Sequence, residues 1–167
     1  RAVINLALSE FGLSIINPFS NVYFDQNQGV KKRHPIKLED IKKVQEECYK
    51  ADDEKRWLIA LIADTGMRLA EGAGLLRSDF IIKEGIQCVN IKPHSWRSLK
   101  TASSERIIPL VGSAKWAADQ ILAHPAKSQF AFPNYNDGVR TNANSASAAL
   151  NKWLKKKIGD EFSIHSF

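Results

Sequence analysis

A run of apolar residues at 57–63, WLIALIA, restricts the possible folds of this chain more than any other feature. The run is apolar at every position, so a helix formed by it has no polar face to present to water. It therefore predicts a buried helix over residues 54–65, and Gly66 is placed to end that helix. A buried helix needs other elements packed around it, which indicates a globular domain.

The spacing of apolar residues predicts further helices on both sides of this run. The predicted segments are 1–11 ended by Gly12, 38–50, a short weak helix at 68–76 that contains Gly72 and Gly74, 113–123 with Ser113 as its N-cap, and a helix around 146–154 followed by Gly159. Two β-rich stretches around residues 83–85 predict a hairpin, and residues 106–110 predict a third strand. The predicted fold class is α+β, mainly α, with a small three-stranded antiparallel sheet inserted between helices.

Composition changes between residues 20 and 35, where Pro, Gly, Asn and basic residues cluster. This change predicts that residues 1–20 end an N-terminal helical domain, residues 21–35 form a linker and residues 36–167 form a second domain. The chain has no initiator Met, and its last residues, EFSIHSF, resemble the start of a new element. We therefore expect the chain to be a fragment of a longer protein.

The balance of charge favours a polyanionic partner, and nucleic acid is one candidate. Lys and Arg number 24 against 18 Asp and Glu, which gives a formal net charge of +6. Cys48 and Cys88 fall on predicted core positions far apart in the sequence, which indicates free thiols in a reducing compartment. The four histidines lack metal-ligand spacing, so we expect no metal site. No apolar run reaches the length of a membrane span, so the sequence predicts a soluble intracellular protein.

Arg68 follows the apolar run, and Glu71 lies three residues later on the same predicted helix. At this spacing the two side chains share a helix face and can form an ion pair. A surface ion pair is the ordinary explanation, and it contributes little to stability. The alternative is a guanidinium held by a carboxylate at a helix junction, which is a rigid fork suited to a phosphate.

A second candidate is the basic segment around the third strand. Residues 92–116 carry a single acid, Glu105, against five basic residues: Lys92, Arg97, Lys100, Arg106 and Lys115. A lysine at a loop tip, such as Lys100, is ordinarily solvated and has no partner. Because the hydroxyls of Thr101 and Ser103 lie beside it, the segment is also a reasonable surface for a DNA backbone.

Other polar features have two explanations each. His165 lies among apolar residues, where a histidine is more often structural, although histidine ionises near neutral pH and suits proton transfer. The basic runs at 31–33 and 155–157 are explained by solvated surfaces or by phosphate contacts that specify no base sequence. Trp57, Trp116 and Trp153 fall on apolar helix faces, whereas Trp96 lies in the basic segment.

Taken in order, these motifs resemble the catalytic domain of the tyrosine recombinases, the phage-integrase family. TGMRLAEGAGL, at 65–75, resembles the first arginine box of that family, T-G-x-R-x-x-E followed by a small apolar pair. LKTASSERIIPL, at 99–110, resembles its lysine hairpin, K-T-x-x-S-x-R-x-x-P-L. IHSF, at 164–167, resembles the start of its H-x-x-R-H box. GLSIINPFSNV, at 12–22, resembles the passage from the N-terminal DNA-clasping domain into the catalytic domain.

The resemblance implies a role for each matching residue. Arg68 would bind the non-bridging oxygens of the scissile phosphate, and Glu71 would orient Arg68. Lys100 would be the general acid that protonates the departing 5′ oxygen, and His165 would assist proton transfer and bind the phosphate. Contacts to the DNA backbone are expected from the remaining polar residues of the basic segment: Lys92, Arg97, Thr101, Ser103 and Arg106.

The family also implies partners and setting. The partner would be double-stranded DNA, on which the full-length protein would self-associate, and neither a metal nor a small-molecule cofactor would take part. Residues 1–20 would be the C-terminal end of a core-binding domain, and residues 36–167 would be a truncated catalytic domain. We expect such a protein in the cytoplasm or nucleoid of a prokaryotic cell, encoded by a phage or another mobile element.

The chain departs from the family pattern at its end. The second arginine of the H-x-x-R motif would follow Phe167, and the tyrosine nucleophile would lie further on. Tyr23, Tyr49 and Tyr135 all precede His165, so none matches that nucleophile. We expect that this fragment does not cut DNA, whereas the parent protein does so through a 3′-phosphotyrosine. Two other classes stay open: a non-catalytic DNA-binding module and a helical protein-interaction domain.

Overall fold

The structure is a computed structural model that describes residues 1–23, 35–125 and 128–167. The chain divides into two compact units, Arg1–Lys32 and Arg33–Phe167. The predicted linker at 21–35 and the basic run at 31–33 lie largely or wholly outside the described residues, so the predicted domain roles stay predictions.

The first unit contains one described helix, α1 (Ala2–Glu10). The chain leaves α1 through Gly12, whose φ of +60° is a conformation that glycine adopts without strain. Beyond it, Asn17 accepts a hydrogen bond from the amide of Phe19 at 2.9 Å and donates one to the side chain of Asn5 at 2.6 Å. The loop after α1 is therefore held against the helix by side-chain hydrogen bonds.

Five α-helices and a three-stranded sheet form the described part of the second unit. The helices are α2 (Leu38–Ala51), α3 (Glu54–Thr65), α4 (Leu69–Ala73), α5 (Gly112–Ala123) and α6 (Ala143–Ile158). The strands are β1 (Phe80–Lys83), β2 (Ile86–Ile91) and β3 (Arg106–Pro109). Within the described ranges, no helix combines the length and the apolar character that a membrane span requires. The predicted fold class, mainly α with a small sheet, is confirmed.

The sheet is antiparallel throughout, with β2 in the centre. Two residues of β2 pair with both neighbours: Val89 pairs with Phe80 of β1 and Ile108 of β3, and Cys88 pairs with Ile81 and Pro109. Glu84 and Gly85 connect β1 to β2 with φ values of 52° and 77°, the two positive angles of a type I′ hairpin turn. The Lys-Glu-Gly sequence therefore forms the hairpin that its composition predicts.

Helix α3 lies at the centre of the hydrophobic core, as the apolar run predicts. Each residue from Trp57 to Ile62 is buried. Helix α5 packs along α3, and α2, α4 and α6 also contact it. Asp53 caps the start of α3 by accepting a hydrogen bond from the Arg56 amide, and Gly66, with φ of +62°, ends it. The chain then turns directly into Arg68, the N-cap of α4.

The start of α5 differs from the prediction. Ser113 is not its N-cap, because the helix begins at Gly112 and Val111 occupies the cap position. The capping group instead comes from α3: Asp64 Oδ2 accepts hydrogen bonds from the amides of Ser113 and Ala114, at 2.6 and 3.2 Å, and from Ser113 Oγ at 2.7 Å. A carboxylate distant in sequence therefore satisfies the first amides of α5, which no local pattern indicates.

The two glycines of the arginine helix are explained by space rather than by backbone angle. A Cβ atom on Gly72 would lie 3.0 Å from Leu58 Cδ1 and 3.1 Å from Met67 Sδ. A Cβ atom on Gly74, where φ is −94°, would lie 2.7 Å from Arg97 Cδ. Side chains larger than hydrogen would therefore push α4 away from α3 and from the loop that carries Arg97.

Candidate functional site

Arg68 stands where α3 ends and α4 begins, half in the core and half in solvent. Its amide donates to Glu71 Oε2 at 3.0 Å, and its Nη1 donates to Glu71 Oε1 at 2.8 Å. The side chain of Glu71 is 4% exposed, whereas that of Arg68 is 49% exposed. The guanidinium is thus fixed from the protein side and keeps an open side toward water.

Glu71 also binds a second guanidinium. Arg106 Nη2, from the start of β3, donates to Glu71 Oε2 at 2.9 Å, and Arg106 Nη1 donates to the carbonyl oxygen of Ser104 at 2.7 Å. Burial alone raises the pKa of Glu71, but the hydrogen bonds from Arg106 and Arg68 outweigh it and lower the net pKa. The carboxylate is therefore charged at neutral pH and joins two arginines that lie 38 residues apart (106 − 68) in sequence.

Ser104 connects Arg68 to the lysine hairpin. Its hydroxyl oxygen accepts a hydrogen bond from Arg68 Nη1 at 2.8 Å and lies 2.9 Å from Thr101 Oγ1. Thr101 Oγ1 is also 3.1 Å from Ser103 Oγ, which is exposed. Ser103 is the serine predicted as a DNA contact, although Ser104 occupies the serine position of the K-T-x-x-S motif. The motif position was the signal that distinguishes the two serines.

These side chains line an open cleft of about 300 Å³. Its wall is formed by Gly66, Arg68, Thr101, Ser103, Ser104 and Arg106. Four of these are predicted site residues that the fold brings together from two separate segments. The wall presents two guanidinium groups and three hydroxyls and no carboxylate oxygen of its own, because Glu71 lies behind the arginines. Such a surface is chemically suited to an anion.

Lys100 directly precedes the cleft residue Thr101 and is exposed. Within the described ranges it makes no hydrogen bond or ion pair, and it does not belong to the residues that line the cleft. Its neighbours on both sides are held in place, since Leu99 packs against the core and Thr101 bonds to Ser104. The ammonium group is therefore carried on a fixed loop next to the cleft.

His165 lies in a short 3₁₀ turn, Ile164–Ser166, and its side chain is exposed. The turn is anchored by Ile164, which is 1% exposed and whose amide donates to Asn151 Oδ1 of α6 at 2.8 Å. Helix α6 also packs against α4, the arginine helix. His165 does not line the cleft. Helix α6 contacts both the turn that carries His165 and the helix that follows Arg68.

Arg97 and Lys92, which the sequence predicts as contacts to the DNA backbone, have partners within the protein. Arg97 is 4% exposed, so its guanidinium does not reach a DNA phosphate from this position, and its Nη2 donates to the carbonyl oxygen of Lys92 at 2.8 Å. Lys92 Nζ lies 3.4 Å from Oδ1 of the fully buried Asp79. The burial of Arg97 argues against the DNA contact that the sequence predicts for it, whereas the contact of Lys92 stays a prediction.

The match to a family model covers most of the chain. The model described as the phage integrase family matches residues 35–167, which include the cleft, the lysine hairpin and His165. The chain belongs to the phage integrase family. The comparison with curated proteins gives no match.

The fold of this integrase-family chain is also that of a solved recombinase. It is similar to the structure titled "Crystal structure of XerA recombinase", with a TM-score of 0.57 and 16% sequence identity. The similarity covers 99% of this chain and 56% of that chain, so this chain spans little more than half the length of the recombinase. At this identity the comparison supports the fold alone.

A larger cavity, of about 680 Å³, has the opposite charge character. Three acidic residues at the start of α3, Asp52, Asp53 and Glu54, contribute to its wall together with Trp57 and His124. Carboxylates repel a phosphate, so the smaller, cationic cleft is the candidate site of this integrase-family domain. Across residues 1–23, 35–125 and 128–167, no group of three or more His, Cys, Asp or Glu side chains is arranged to hold a metal ion.

Proposed function

We propose that this chain is the catalytic part of a recombinase that cuts and rejoins double-stranded DNA at specific sites, and that the cleft binds the phosphate that is cut. The observation that carries the proposal is the pair of arginines, Arg68 and Arg106, that share the buried carboxylate of Glu71 and face the same cleft. Family membership supports the reaction class, and the cleft supplies groups that suit it.

The arginines would stabilise charge on the phosphate as it is attacked. Negative charge builds on the non-bridging oxygens in such a step, and donors fixed in advance lower the barrier because they need no reorganisation. Arg68 is held by Glu71 and Ser104 through Nη1 and keeps its other nitrogens available to bind phosphate oxygens. Glu71 is the positioning residue for both guanidiniums.

Lys100 and His165 would handle the protons. In the cutting step the phenolic oxygen of a tyrosine attacks phosphorus and forms the new O–P bond, while the bond from phosphorus to the 5′ oxygen breaks. The departing 5′ oxygen takes a proton from the Lys100 ammonium, and His165 assists removal of the proton from the attacking phenol. The 3′-phosphotyrosyl bond keeps the energy of the phosphodiester, so the reverse attack by a 5′ hydroxyl reseals the strand.

The three tyrosines of this chain are poor candidates for that nucleophile. Tyr135 is 5% exposed, Tyr49 packs edge-on against Trp116 with ring centroids 4.7 Å apart, and Tyr23 lies in the first unit. In the family pattern the nucleophile follows the histidine box. We propose that this chain alone forms no covalent adduct with DNA, and that the parent protein does.

The wider surface of the cleft would contact the DNA backbone. Thr101 and Ser103 offer hydroxyls at its rim, and Lys92 lies on the same segment with its side chain 39% exposed. Such contacts position a duplex without reading its base sequence. We further propose that the parent protein self-associates on DNA and acts where prokaryotic DNA resides, in the cytoplasm or nucleoid.

Binding of a minimal phosphodiester tests the cleft directly. We expect dimethyl phosphate to shift the side-chain NMR resonances of Arg68 and Arg106 and the amide resonance of Ser104. Arg77, which lines the acidic cavity and donates to the carbonyl oxygen of Leu122, is the matched control and should not respond. Shifts of equal size at Arg77 would contradict the proposed phosphate site. So would the absence of a shift at Arg68 at concentrations of dimethyl phosphate that already shift the resonances of exposed lysines.

A further inference from the structure

Arg97 is a buried cation that the proposed reaction does not use. It is 4% exposed, and its Nε and Nη1 have no hydrogen-bond partner among the described residues. Its remaining nitrogen, Nη2, donates to the carbonyl oxygen of Lys92 at 2.8 Å and so closes the loop that leads from β2 toward Lys100. Burying a guanidinium with unpaired nitrogens costs free energy of folding, which points to a specific role for Arg97.

The side chain of Arg97 passes close to the backbone of Gly74, the residue that follows α4. A Cβ atom at Gly74 would lie 2.7 Å from Arg97 Cδ and 2.9 Å from its Nε. The φ of Gly74 is −94°, an angle that any residue adopts, so the glycine is there to make room for the arginine. Gly74 follows α4 directly, three residues after Glu71.

The turn that carries Arg97 is fastened to the same place. The amides of His94 and Arg97 donate to each other's carbonyl oxygens at 3.0 and 3.1 Å. Trp96 Nε1 donates to the carbonyl oxygen of Gly74 at 3.1 Å, and the Trp96 carbonyl accepts from the Thr141 amide at 3.0 Å. The loop is therefore attached to the end of α4 and to the segment that leads into α6.

The charges around Arg97 tie it to the cleft. Burial lowers the pKa of Arg97, while the carboxylates of Asp79 and Glu71 act in the opposite direction. Asp79 is fully buried and is shared with His94, whose Nε2 lies 2.9 Å from Oδ2, and with Lys92. Glu71 is also the carboxylate that pairs with Arg68 and Arg106. The same negative charge therefore acts on Arg97 and on the two arginines of the cleft.

We propose that Arg97 is a positioning residue, which holds the loop that carries Lys100 in a fixed place against the arginine helix. Arg97 lies three residues before Lys100, and Thr101 and Ser104 fix the loop on the other side through Arg68. The assignment rests on the proposed function in so far as that function gives Lys100 its role. Arg97 itself touches no DNA and acts through the position of Lys100.

A spin-label distance measurement tests this without DNA. Nitroxides are attached to Lys100→Cys and Asp119→Cys, because Asp119 lies on the exposed face of α5 and the native Cys48 and Cys88 are buried. A second pair, Lys83→Cys with Asp119→Cys, reports on the rest of the domain. We expect Arg97→Met to broaden the 100–119 distance distribution and to leave the 83–119 distribution unchanged, and Arg97→Lys to restore part of the narrow distribution.

Arg140→Met is the matched control, because the Arg140 side chain is 78% exposed and pairs weakly with Asp137 at 3.7 Å. It should change neither distribution. If Arg97→Met leaves the 100–119 distribution narrow, or broadens both distributions equally, Arg97 does not position Lys100. The dimethyl phosphate titration of the unsubstituted chain is independent of this result, so failure of the phosphate site and failure of the positioning role are distinguishable.

Hydrogen exchange on the unsubstituted protein keeps the proposal testable if the variants do not fold. The amide of Arg97 donates to His94, and the amide of Ser104 donates to Thr101 at 3.0 Å. We expect both amides to exchange through one opening, with the same dependence on denaturant. Exchange of Ser104 while Arg97 stays protected would show that the Lys100 loop moves independently of Arg97 and would overturn the proposal.

Discussion

The hydroxyl of Ser104 accepts a hydrogen bond from the Arg68 guanidinium at 2.8 Å, and this contact joins two segments 36 residues apart. Arg68 belongs to the junction of α3 and α4, whereas Ser104 lies in the short turn before β3. Because Thr101 bonds to the same hydroxyl, the residue that follows Lys100 is connected to the arginine through one side chain. The cleft is thus set by a small network rather than by a single ion pair.

Removal of the Ser104 hydroxyl should loosen this network. We expect Ser104→Ala to lower the free energy of unfolding by about 0.5–1.5 kcal/mol, the usual net contribution of one hydrogen bond. It should also weaken the dimethyl phosphate response of Arg68, because the guanidinium loses one of its two fixed partners. Chemical denaturation and NMR titration measure the two effects. Ser98→Ala removes an exposed hydroxyl that does not line the cleft and should do neither; equal effects at both serines would contradict the network.

Glu71 should make the stability of the protein depend on acid. Burial alone raises its pKa, but hydrogen bonds from Arg106 and Arg68 lower the net pKa below 4.5. The charged carboxylate therefore stabilises the fold fully above pH 4.5, and this contribution is lost as the pH falls through the lowered pKa of the folded state. In Glu71→Gln this part of the acid dependence should disappear.

At neutral pH we expect Glu71→Gln to cost about 1–3 kcal/mol of stability, because two guanidiniums lose their shared carboxylate. Thermal unfolding in a series of increasingly acidic buffers measures both the loss and its pH dependence. Glu105→Gln is the control, since Glu105 is exposed and adjacent to the same network. If the stability of Glu71→Gln falls with decreasing pH in the same way as that of the unsubstituted protein, Glu71 is not the titrating group.

Arg68 should matter more for chemistry than for affinity. When this chain is joined to a segment that carries the proposed tyrosine nucleophile, we expect Arg68→Ala to abolish cleavage of a nicked DNA substrate. DNA affinity should change little, because many phosphate contacts contribute to it. The plot of log K against log salt concentration should become less steep by about one unit. Arg77→Ala removes an arginine from the acidic cavity and should retain cleavage. Loss of all DNA binding in Arg68→Ala, or retention of cleavage, would contradict the assignment.

The sequence predicts the elements of this fold better than the contacts between them. The buried helix α3, the hairpin around Gly85 and the location of Arg68 at a helix junction all follow from local pattern, because apolar spacing and turn residues act over a few positions. The sharing of Glu71 by two arginines does not follow from local pattern. Arg106 lies in a strand that the sequence predicts, but no local pattern shows that this strand packs beside Glu71. Burial of Arg97 was missed for the same reason: a run of basic residues does not indicate which one turns inward.

The cap of α5 is a second case in which a distant residue replaces a local one, and it yields a stability prediction. Asp64 Oδ2 accepts from the amides of Ser113 and Ala114, while its Oδ1 accepts from Gln45 Nε2 at 2.8 Å. We expect Asp64→Ala to cost about 1–3 kcal/mol, more than a single cap, because the amides of Ser113 and Ala114 lose their acceptor. The Ser113 hydroxyl keeps only its longer bond to the carbonyl oxygen of Ala60, at 3.3 Å.

Chemical denaturation of Asp64→Ala measures this cost, and Asp119→Ala is the control because Asp119 is exposed on the same helix, α5. Helix α5 packs along α3, the helix whose end positions Arg68, so the loss should also reach the cleft. We therefore expect hydrogen exchange to accelerate first in the opening turn of α5 and then at Gly66, which directly follows α3. Unchanged stability in Asp64→Ala would contradict the role of Asp64 as the cap of α5.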